Sequence, residues 1–242
     1  MSAVQRPEHL LAATNNAHWC DLVCRLHGAP GRFMGSVWVS SGAVPPLYPN
    51  LVTTTDHPAR NLAEVTRLVA DAPGRTLAVK DSFGRLELAP LGFSLLFDAE
   101  WFWRPASPLL APSSWPRLTS NTDLAAWEAA WRMADGRTAL PDKPMFAPPL
   151  LLDDGVQLLA RRESGGIVAG AIVYRSQDTA GISNVFSPPD TAQDDFAACV
   201  ALVMALNPSA AIAGYDRPGF AAPFAGLGLR VAGPLRVWLK AA

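Results

Sequence analysis

The C-terminal stretch of the chain, residues 181–239, constrains the fold most. It reads as strand, loop, helix, strand, short helix and strand, with an apolar helix between the first two strands. Two parallel strands joined by a helix need a crossover connection, and such crossovers are almost always right-handed. The stretch therefore predicts a βαβ unit followed by a further strand, which places the chain among proteins that mix α and β structure.

Composition narrows the range of functions. Half of the residues are apolar, 17% are charged and the net charge is −1, with no basic run. Such a chain builds a large core and does not favour nucleic acid as a main partner. We also expect no membrane partner, because no long apolar stretch is free of charge and proline. The start of the chain lacks the pattern of an export signal, and three cysteines do not make a disulfide framework, so we predict a cytoplasmic protein.

The chain also contains an internal repeat. Short segments of the first half recur in the second at nearly equal spacing, namely 49–55 with 183–189, 78–81 with 213–216, 91–93 with 227–229 and 100–104 with 235–239. The pattern predicts a duplicated unit whose first copy is shorter by about one β-hairpin. Chance similarity of two βαβ units is the alternative. The predicted division is 1–106, a proline-rich linker at 107–120, and 121–242.

Local patterns give further expectations. Residues 1–13 are predicted to be an arm, with Thr14 to Asn16 capping the helix that follows. Residues 33–41 alternate in polarity and predict one strand, and residues 83–91 predict a helix. A short helix is expected at 219–228. Thr122 or Asn121 is the expected cap of the helix that opens the second half.

The second half resembles the GNAT acyltransferase superfamily. The resemblance rests on a long helix, antiparallel strands, the motif SNVF at 183–186 as a splayed central strand, and FAGLGL at 224–229 before the last strand. It covers about residues 121–239, and the first half more weakly. It implies an α/β (α+β) protein of two GNAT-like halves with mixed, mostly antiparallel sheets. It also implies transfer of an acyl group from acetyl-CoA or another acyl-CoA to a small-molecule amine.

Two positions depart from the family pattern. The loop at 187–195, where the family wraps the CoA pyrophosphate with glycine backbone, has no glycine or cation and contains three aspartates. Phe224 stands where the family usually has its general-acid tyrosine, Leu229 replaces the phenylalanine of a closing GF, and Leu88 stands at the matching place in the first half. The alternative function is therefore a non-catalytic binding protein that kept the fold and lost CoA.

The candidate site residues follow from these matches. Tyr215, Asp216 and Asn184 are the predicted catalytic group, and a buried tyrosine with a helix-capping aspartate is the alternative reading of the first two. Asn184 and Asn50 stand in strands, where asparagine is depleted, so each side chain should bind either a ligand or a strand edge. The predicted cofactor contacts are Val185, Phe186, Ser187 and Arg60, and the predicted substrate contacts are Asn50, Trp38 and Tyr48.

Two histidines and two cysteines lie close together in the first predicted helix and the residue after it. His18, Cys20, Cys24 and His27 have a spacing that puts three potential zinc ligands on one helix face. Small cysteines buried against a core explain the same pattern, because free cysteine is among the most buried residue types. We predict no metal.

Overall fold

The computed structural model describes residues 7–107, 115–134 and 143–242. The elements, in chain order, are α1 (Pro7–Leu26), β1 (Arg32–Met34), β2 (Val37–Val39), β3 (Leu51–Thr53), α2 (Pro58–Asp71), β4 (Leu77–Asp81), a 3₁₀ helix (Ala89–Leu91), β5 (Ser94–Arg104), β6 (Arg117–Leu118), α3 (Asn121–Ala134), a 3₁₀ helix (Pro148–Leu152), β7 (Val156–Glu163), β8 (Gly166–Ser176), β9 (Thr179–Phe186), α4 (Ala192–Leu206), β10 (Ala211–Asp216), a 3₁₀ helix (Ala222–Leu227) and β11 (Arg230–Lys240). The protein is an α+β structure with parallel and antiparallel strands, as the sequence predicts.

The chain divides into two compact units that are not simple halves of the sequence. The first unit consists of Met1–Trp103, Tyr215–Ala221 and Val231–Ala242, and the second of Arg104–Gly214 and Ala222–Arg230. Most of β11 therefore belongs to the first unit, although it follows the second unit in the chain. β10 begins in the second unit, and its last two residues are counted in the first.

The first unit is built on the strand order β1-β2-β3-β4-β11-β5. β3 and β4 are parallel, as expected for strands joined by helix α2, and β11 pairs antiparallel with β4. The core between this sheet and α2 is aliphatic and aromatic, and contains Leu51, Val65, Leu68, Leu88 and Trp238. Burial of this apolar surface is the main term that stabilises the unit.

The second unit is built on the order β6-β7-β8-β9-β10, in which β9 and β10 form the parallel pair. α3 and α4 both pack on β8 and β9. Trp127 of α3 has no exposed surface, and its indole N–H donates to the carbonyl of Leu159 at 2.9 Å. Trp131 and Phe186 pack against the same ring. The apolar stripe of α3 therefore faces the sheet.

The two predicted repeats have the same order of elements. Each runs strand, helix, strand, 3₁₀ helix, strand, from β3 to β5 and from β9 to β11, and the first two strands of each are parallel. The first copy was expected to be shorter by about one β-hairpin, and the structure shows a shorter hairpin rather than a missing one. β1 and β2 pair as a hairpin of three-residue strands where the second copy has the long hairpin of β7 and β8.

Three local predictions in the first half are also wrong. α1 begins at Pro7, not after Asn16, because proline suits the first helical turn, where no N–H is needed. The predicted strand at 33–41 is broken into β1 and β2 by a turn at Gly35, whose φ is +62°. The predicted helix at 83–91 is a turn in which Asp81 accepts from the Leu86 N–H at 2.7 Å, followed by one 3₁₀ turn.

The second half follows its predictions more closely. The helix expected at 219–228 is shorter, Ala222–Leu227, and 3₁₀ rather than α. The hydroxyl of Ser120, rather than Thr122 or Asn121, accepts from an N–H at the start of α3. The middle of the predicted linker, 108–114, lies outside the described residues. Trp115, near its end, is buried, and Arg117–Leu118 form β6. None of the helices that the structure describes is both long and apolar enough to span a membrane.

Candidate functional site

The parallel pair β9 and β10 opens part-way along its length. The two strands are in register from Thr179 opposite Ala211 to Gly181 opposite Ala213, and within the described residues no pairing joins them beyond this point. β9 nevertheless continues to Phe186, held on its other side by β8. Backbone groups of Ile182 to Phe186 on the β10 side are therefore not used by that ladder, and they are available to a ligand.

A β-bulge lies in the open part of β9. Ser183 is opposite Ile172 of β8, but Phe186 is opposite Gly170, so β9 carries one extra residue between these pairs. Asn184 lies in the bulge with φ of +52°, a left-handed conformation that asparagine tolerates better than most residues. Its side-chain amide donates to the Ser183 hydroxyl at 3.1 Å. The bulge turns the backbone of Val185 relative to a regular strand.

The other two predicted cofactor residues of β9 differ in exposure. The ring of Phe186 is buried and packs edge-on against Trp127 at 5.2 Å, so this residue can offer only its backbone. Ser187 is half-buried, and its hydroxyl contacts the carbonyl of Pro188 at 3.4 Å. Val185 is half-buried and lies at the open edge.

The loop that follows β9 leads into helix α4, whose first turn contains a buried carboxylate with several hydrogen-bond donors. Asp195, in the first turn of α4, is 5% exposed and receives two hydrogen bonds from the guanidinium of Arg161, at 2.6 and 3.0 Å. The hydroxyl of Thr191 donates to the same carboxylate at 2.7 Å. This contact with Asp195 raises the pKa of Arg161. A carboxylate at a helix N-terminus interacts favourably with the helix dipole, and here the chain supplies that anion itself.

Comparison with solved structures identifies this arrangement of strands. A putative GNAT-family acetyltransferase from Novosphingobium aromaticivorans aligns with a TM-score of 0.58 at 15% identity, covering 95% of this chain and 99% of its own. A GCN5-related N-acetyltransferase from Kribbella flavida aligns with a TM-score of 0.57 at 15% identity, covering 96% of both chains. The chain has the GNAT fold.

A third GNAT structure extends this agreement. A GCN5-related N-acetyltransferase from Sphaerobacter thermophilus aligns with a TM-score of 0.51 at 14% identity, over 96% of this chain and 93% of its own. No protein-family model matches the sequence, and no curated protein matches it either. The likeness to the GNAT fold is therefore one of three-dimensional structure at low sequence identity.

Tyr215 and Asp216 end β10, and the structure gives them different surroundings. Successive side chains of a strand leave from opposite faces, so the two do not act as one group. Asp216 is half-buried, and its carboxylate accepts from the backbone N–H of Arg217 at 2.7 Å. Burial raises the pKa of Asp216, while Arg217 acts in the opposite direction. Asp216 is thus a better proton acceptor than an ordinary exposed aspartate.

Tyr215 meets a residue that the sequence analysis did not select, Lys80 of β4. The Lys80 ammonium donates to the Tyr215 oxygen at 3.1 Å and to the Asn16 side-chain oxygen at 2.8 Å. Trp101 packs edge-on against the Tyr215 ring at 5.3 Å. Burial acts to lower the pKa of Lys80, but Tyr215 and Cys20 raise it, and the net direction is upward. A lysine that directly follows three apolar residues of a strand, in LAVKD, was the signal that could have revealed it.

The predicted substrate contacts of the first half lie in the interior of the first unit. The amide of Asn50 donates to the carbonyls of Ser40 and Gly42, both at 3.3 Å, and its oxygen accepts from the Ala78 N–H. Of the two roles expected for the Asn50 side chain, the structure thus shows the bond to a strand edge and not the ligand contact. Trp38 has no exposed surface and donates to Asp21 at 2.9 Å, and Tyr48 is buried beside Trp19. Because these side chains have little or no exposed surface, they are part of the core and do not line a substrate site.

Arg60, the remaining predicted cofactor contact, is exposed in the first turn of α2 and makes no ion pair with the residues that the structure describes.

The four potential metal ligands of α1 and its C-terminal end do not form a metal site. Cys20 and Cys24 are buried, and the Cys20 thiol contacts the Asn16 side-chain oxygen at 3.8 Å. The ring of His18 packs on Phe33. Within residues 7–107, 115–134 and 143–242, no three His, Cys, Asp or Glu side chains are grouped as metal ligands would be.

Proposed function

We propose that the protein is an acyl-CoA-dependent N-acyltransferase that acts on a small amine. The observation that carries the proposal is the opening of β9 from β10 beyond Gly181, together with the bulge at Asn184. Backbone groups on the open edge of β9 can bind the amides of a pantetheine arm, as an added strand binds to a sheet edge. A backbone N–H near Val185 can polarise the thioester carbonyl in the transition state.

The reaction needs one proton to leave the amine and one to reach the sulfur. The neutral amine nitrogen attacks the thioester carbonyl carbon, the C–S bond breaks, and the leaving thiolate takes a proton from water. Asp216 is the group at the end of β10 that we assign to the amine proton, because burial raises its pKa and makes it a stronger base. Tyr215 is not assigned to this step, since its oxygen is held by Lys80.

The test is an acyl-transfer assay with a set of acyl-CoA donors and small amines, read as release of free CoA thiol. We expect turnover, and we expect Asp216→Asn to lower kcat by about 10²–10⁴-fold, the usual contribution of a general base. Asp178→Asn is the matched control, because Asp178 is an exposed aspartate in the turn before β9. Absence of thiol release with every pair, or an unchanged kcat in Asp216→Asn, would reject the assignment.

A second candidate function is a binding protein without catalysis. It is favoured by the start of α4, where Asp194 and Asp195 put negative charge in the first turn and the preceding loop has two prolines that offer no N–H. Calorimetric titration separates the candidates. An amine or other small molecule that binds without CoA, in a protein that releases no thiol, supports this second function.

A further inference from the structure

Lys80 carries a positive charge in the interior of the first unit. It stands in the centre of that unit's sheet, on β4 between β3 and β11, and only 5% of the residue is exposed. Moving an ammonium group out of water costs several kcal/mol unless it is paired and hydrogen-bonded. A buried lysine in a native structure therefore needs an anion or a complete set of acceptors.

No carboxylate supplies that anion. In the part of the chain that the structure describes, Lys80 forms no salt bridge, and its neighbours are a tyrosine, an asparagine and cysteines. The nearby side chains from α1 are Asn16 and Cys20, and those from β5 and β10 are Trp101 and Tyr215. The pair formed by Lys80 and Tyr215 thus carries one net positive charge when the phenol is neutral.

The donors of this pair also exceed its acceptors. An ammonium has three N–H donors and no acceptor, so Lys80 donates to both Asn16 and Tyr215 and retains a third N–H. The Tyr215 oxygen accepts from Lys80, and its own proton has no acceptor among the described residues. Tyr215 is half-buried, so part of this residue is accessible to solvent. One charge and two hydrogen-bond donors therefore lie within 3.1 Å of each other.

We propose that Lys80 and Tyr215 form a binding site for the carboxylate group of a small molecule. One carboxylate oxygen accepts from the Lys80 ammonium and the other from the Tyr215 hydroxyl. A single negative charge balances the single positive charge, and two acceptor oxygens match two donors. A phosphate group is a poorer match, because its second charge and third oxygen would need further donors that these residues do not provide. The site is separate from the proposed acyl transfer and does not depend on it.

Sodium acetate is the probe, compared with sodium chloride at equal ionic strength and neutral pH. The measurement is the side-chain NMR signal of Lys80 in protein labelled with ¹⁵N-lysine, assigned by its absence in Lys80→Met. We expect acetate to shift this signal saturably, while chloride does not. Tyr215→Phe, which removes only the hydroxyl, should weaken acetate binding by about tenfold, the loss expected for one hydrogen bond to a charged group.

Two matched variants and one optical measurement complete the test. Lys240→Met removes a lysine that bonds the Leu91 carbonyl, and Tyr174→Phe removes a phenol of β8; neither should change acetate binding. Because replacing a buried charge by an apolar side chain is often tolerated, Lys80→Met is expected to fold. If Lys80→Met does not fold, the Lys80 signal is assigned by conventional through-bond NMR, and Tyr215→Phe carries the comparison.

Three results would overturn the proposal: a Lys80 signal that acetate leaves unchanged, equal acetate affinity in Tyr215→Phe and wild type, or phenolate absorbance from Tyr215 at neutral pH. A phenolate would mean that Tyr215 itself neutralises the charge of Lys80, so that no external carboxylate is needed.

Discussion

At the scale of single residues, the interior of this protein holds polar groups that each have a specific partner. Glu128 of α3 is buried, and its carboxylate accepts from the N–H groups of Met145 and Phe146 and from Arg132. Charge-assisted bonds of this kind offset the cost of burial. Lys80 differs from Glu128, because its bonds go to neutral groups only. That difference is why Lys80, and not Glu128, suggests a ligand.

Trp127→Ala should destabilise the protein by about 3–5 kcal/mol, because it removes a fully buried ring and leaves the Leu159 carbonyl without its donor. The measurement is the free energy of unfolding from urea denaturation. Met133→Ala, in the same helix at 81% exposure, is the control and should change the free energy little. Equal stability of Trp127→Ala and the wild type would contradict the packing of α3.

The three cysteines should not react with thiol reagents in the native protein. All three are buried, and burial raises the pKa of each thiol, that of Cys199 to about 12, so the reactive thiolate is rare near neutral pH. Titration with Ellman's reagent should find no fast-reacting thiol in native protein and three in denaturant. A fast native thiol would mean that the α1 or α4 environment opens readily.

At the scale of elements, helix α4 is the feature that distinguishes this chain from a CoA-binding pattern. Its first turn contains the buried carboxylate of Asp195, which Arg161 and Thr191 hold in place. Arg161 is a cation near this loop that the sequence analysis did not identify, because it arrives from β7. Its guanidinium is already committed to Asp195, so it does not offer a free charge to a diphosphate.

We predict that the loop at 187–191 does not grip the diphosphate of acetyl-CoA. Pro188 and Pro189 lack N–H donors, and Asp190 and Asp194 add negative charge. Binding of acetyl-CoA through this loop should therefore be weaker by several kcal/mol than through a glycine-rich loop, which corresponds to a Kd above about 1 mM. If a CoA-like anion binds away from β9, we expect it at the exposed Arg60 of α2, and such binding would favour the second candidate function over acyl transfer at β9. Calorimetric titration of acetyl-CoA into wild type and Arg60→Ala tests this, with Arg67→Ala as a control from the same helix. Micromolar binding that ignores Arg60 and disappears when the loop is altered would refute it.

At the scale of the whole molecule, the last strand of the chain completes the sheet of the first unit. β11 pairs with β4 from Arg236 opposite Asp81 to Lys240 opposite Leu77, and Trp238 lies in the core with Leu51 and Val79. The two predicted repeats are therefore not independent segments in space. The division of the sequence into two copies at 107–120 remains a prediction about a duplication. The two compact units of the structure do not follow that division.

Trp238→Ala should weaken the first unit, although the residue is near the C-terminus. Loss of the buried ring should cost about 3–5 kcal/mol, and hydrogen exchange should become faster in Leu77–Asp81, the partner strand. Trp238→Phe is the matched variant and should cost less, because the indole N–H has no hydrogen-bond partner within the described residues. Faster exchange confined to the second unit would contradict this arrangement.

The sequence by itself determined the fold class and the bounds of several elements. The sequence patterns at 94–104 and 156–163 predict strands with the bounds that the structure shows for β5 and β7, because polarity patterns and flanking turn residues are local properties. The motif order at 181–239 indicated the GNAT fold, which the structural comparisons support. Asn184 was expected to use its side chain for a ligand or a strand edge; the structure shows a left-handed bulge residue whose amide donates to the neighbouring Ser183 hydroxyl, and a ligand role remains a prediction.

Only the tertiary structure decided which distant residues meet. Lys80 and Tyr215 are 135 residues apart, and Arg161 and Asp195 are 34 apart, so no local pattern connects either pair. The pairing of β11 with β4 is of the same kind, because strand order depends on how complete elements pack and not on the residues of one strand. Burial likewise removed Trp38 and Asn50 from the candidate site, because an aromatic or amide side chain has the same identity in a pocket and in a core. The charge, donors and exposure that suggest a ligand at Tyr215 arise only when these separate segments are brought together by folding.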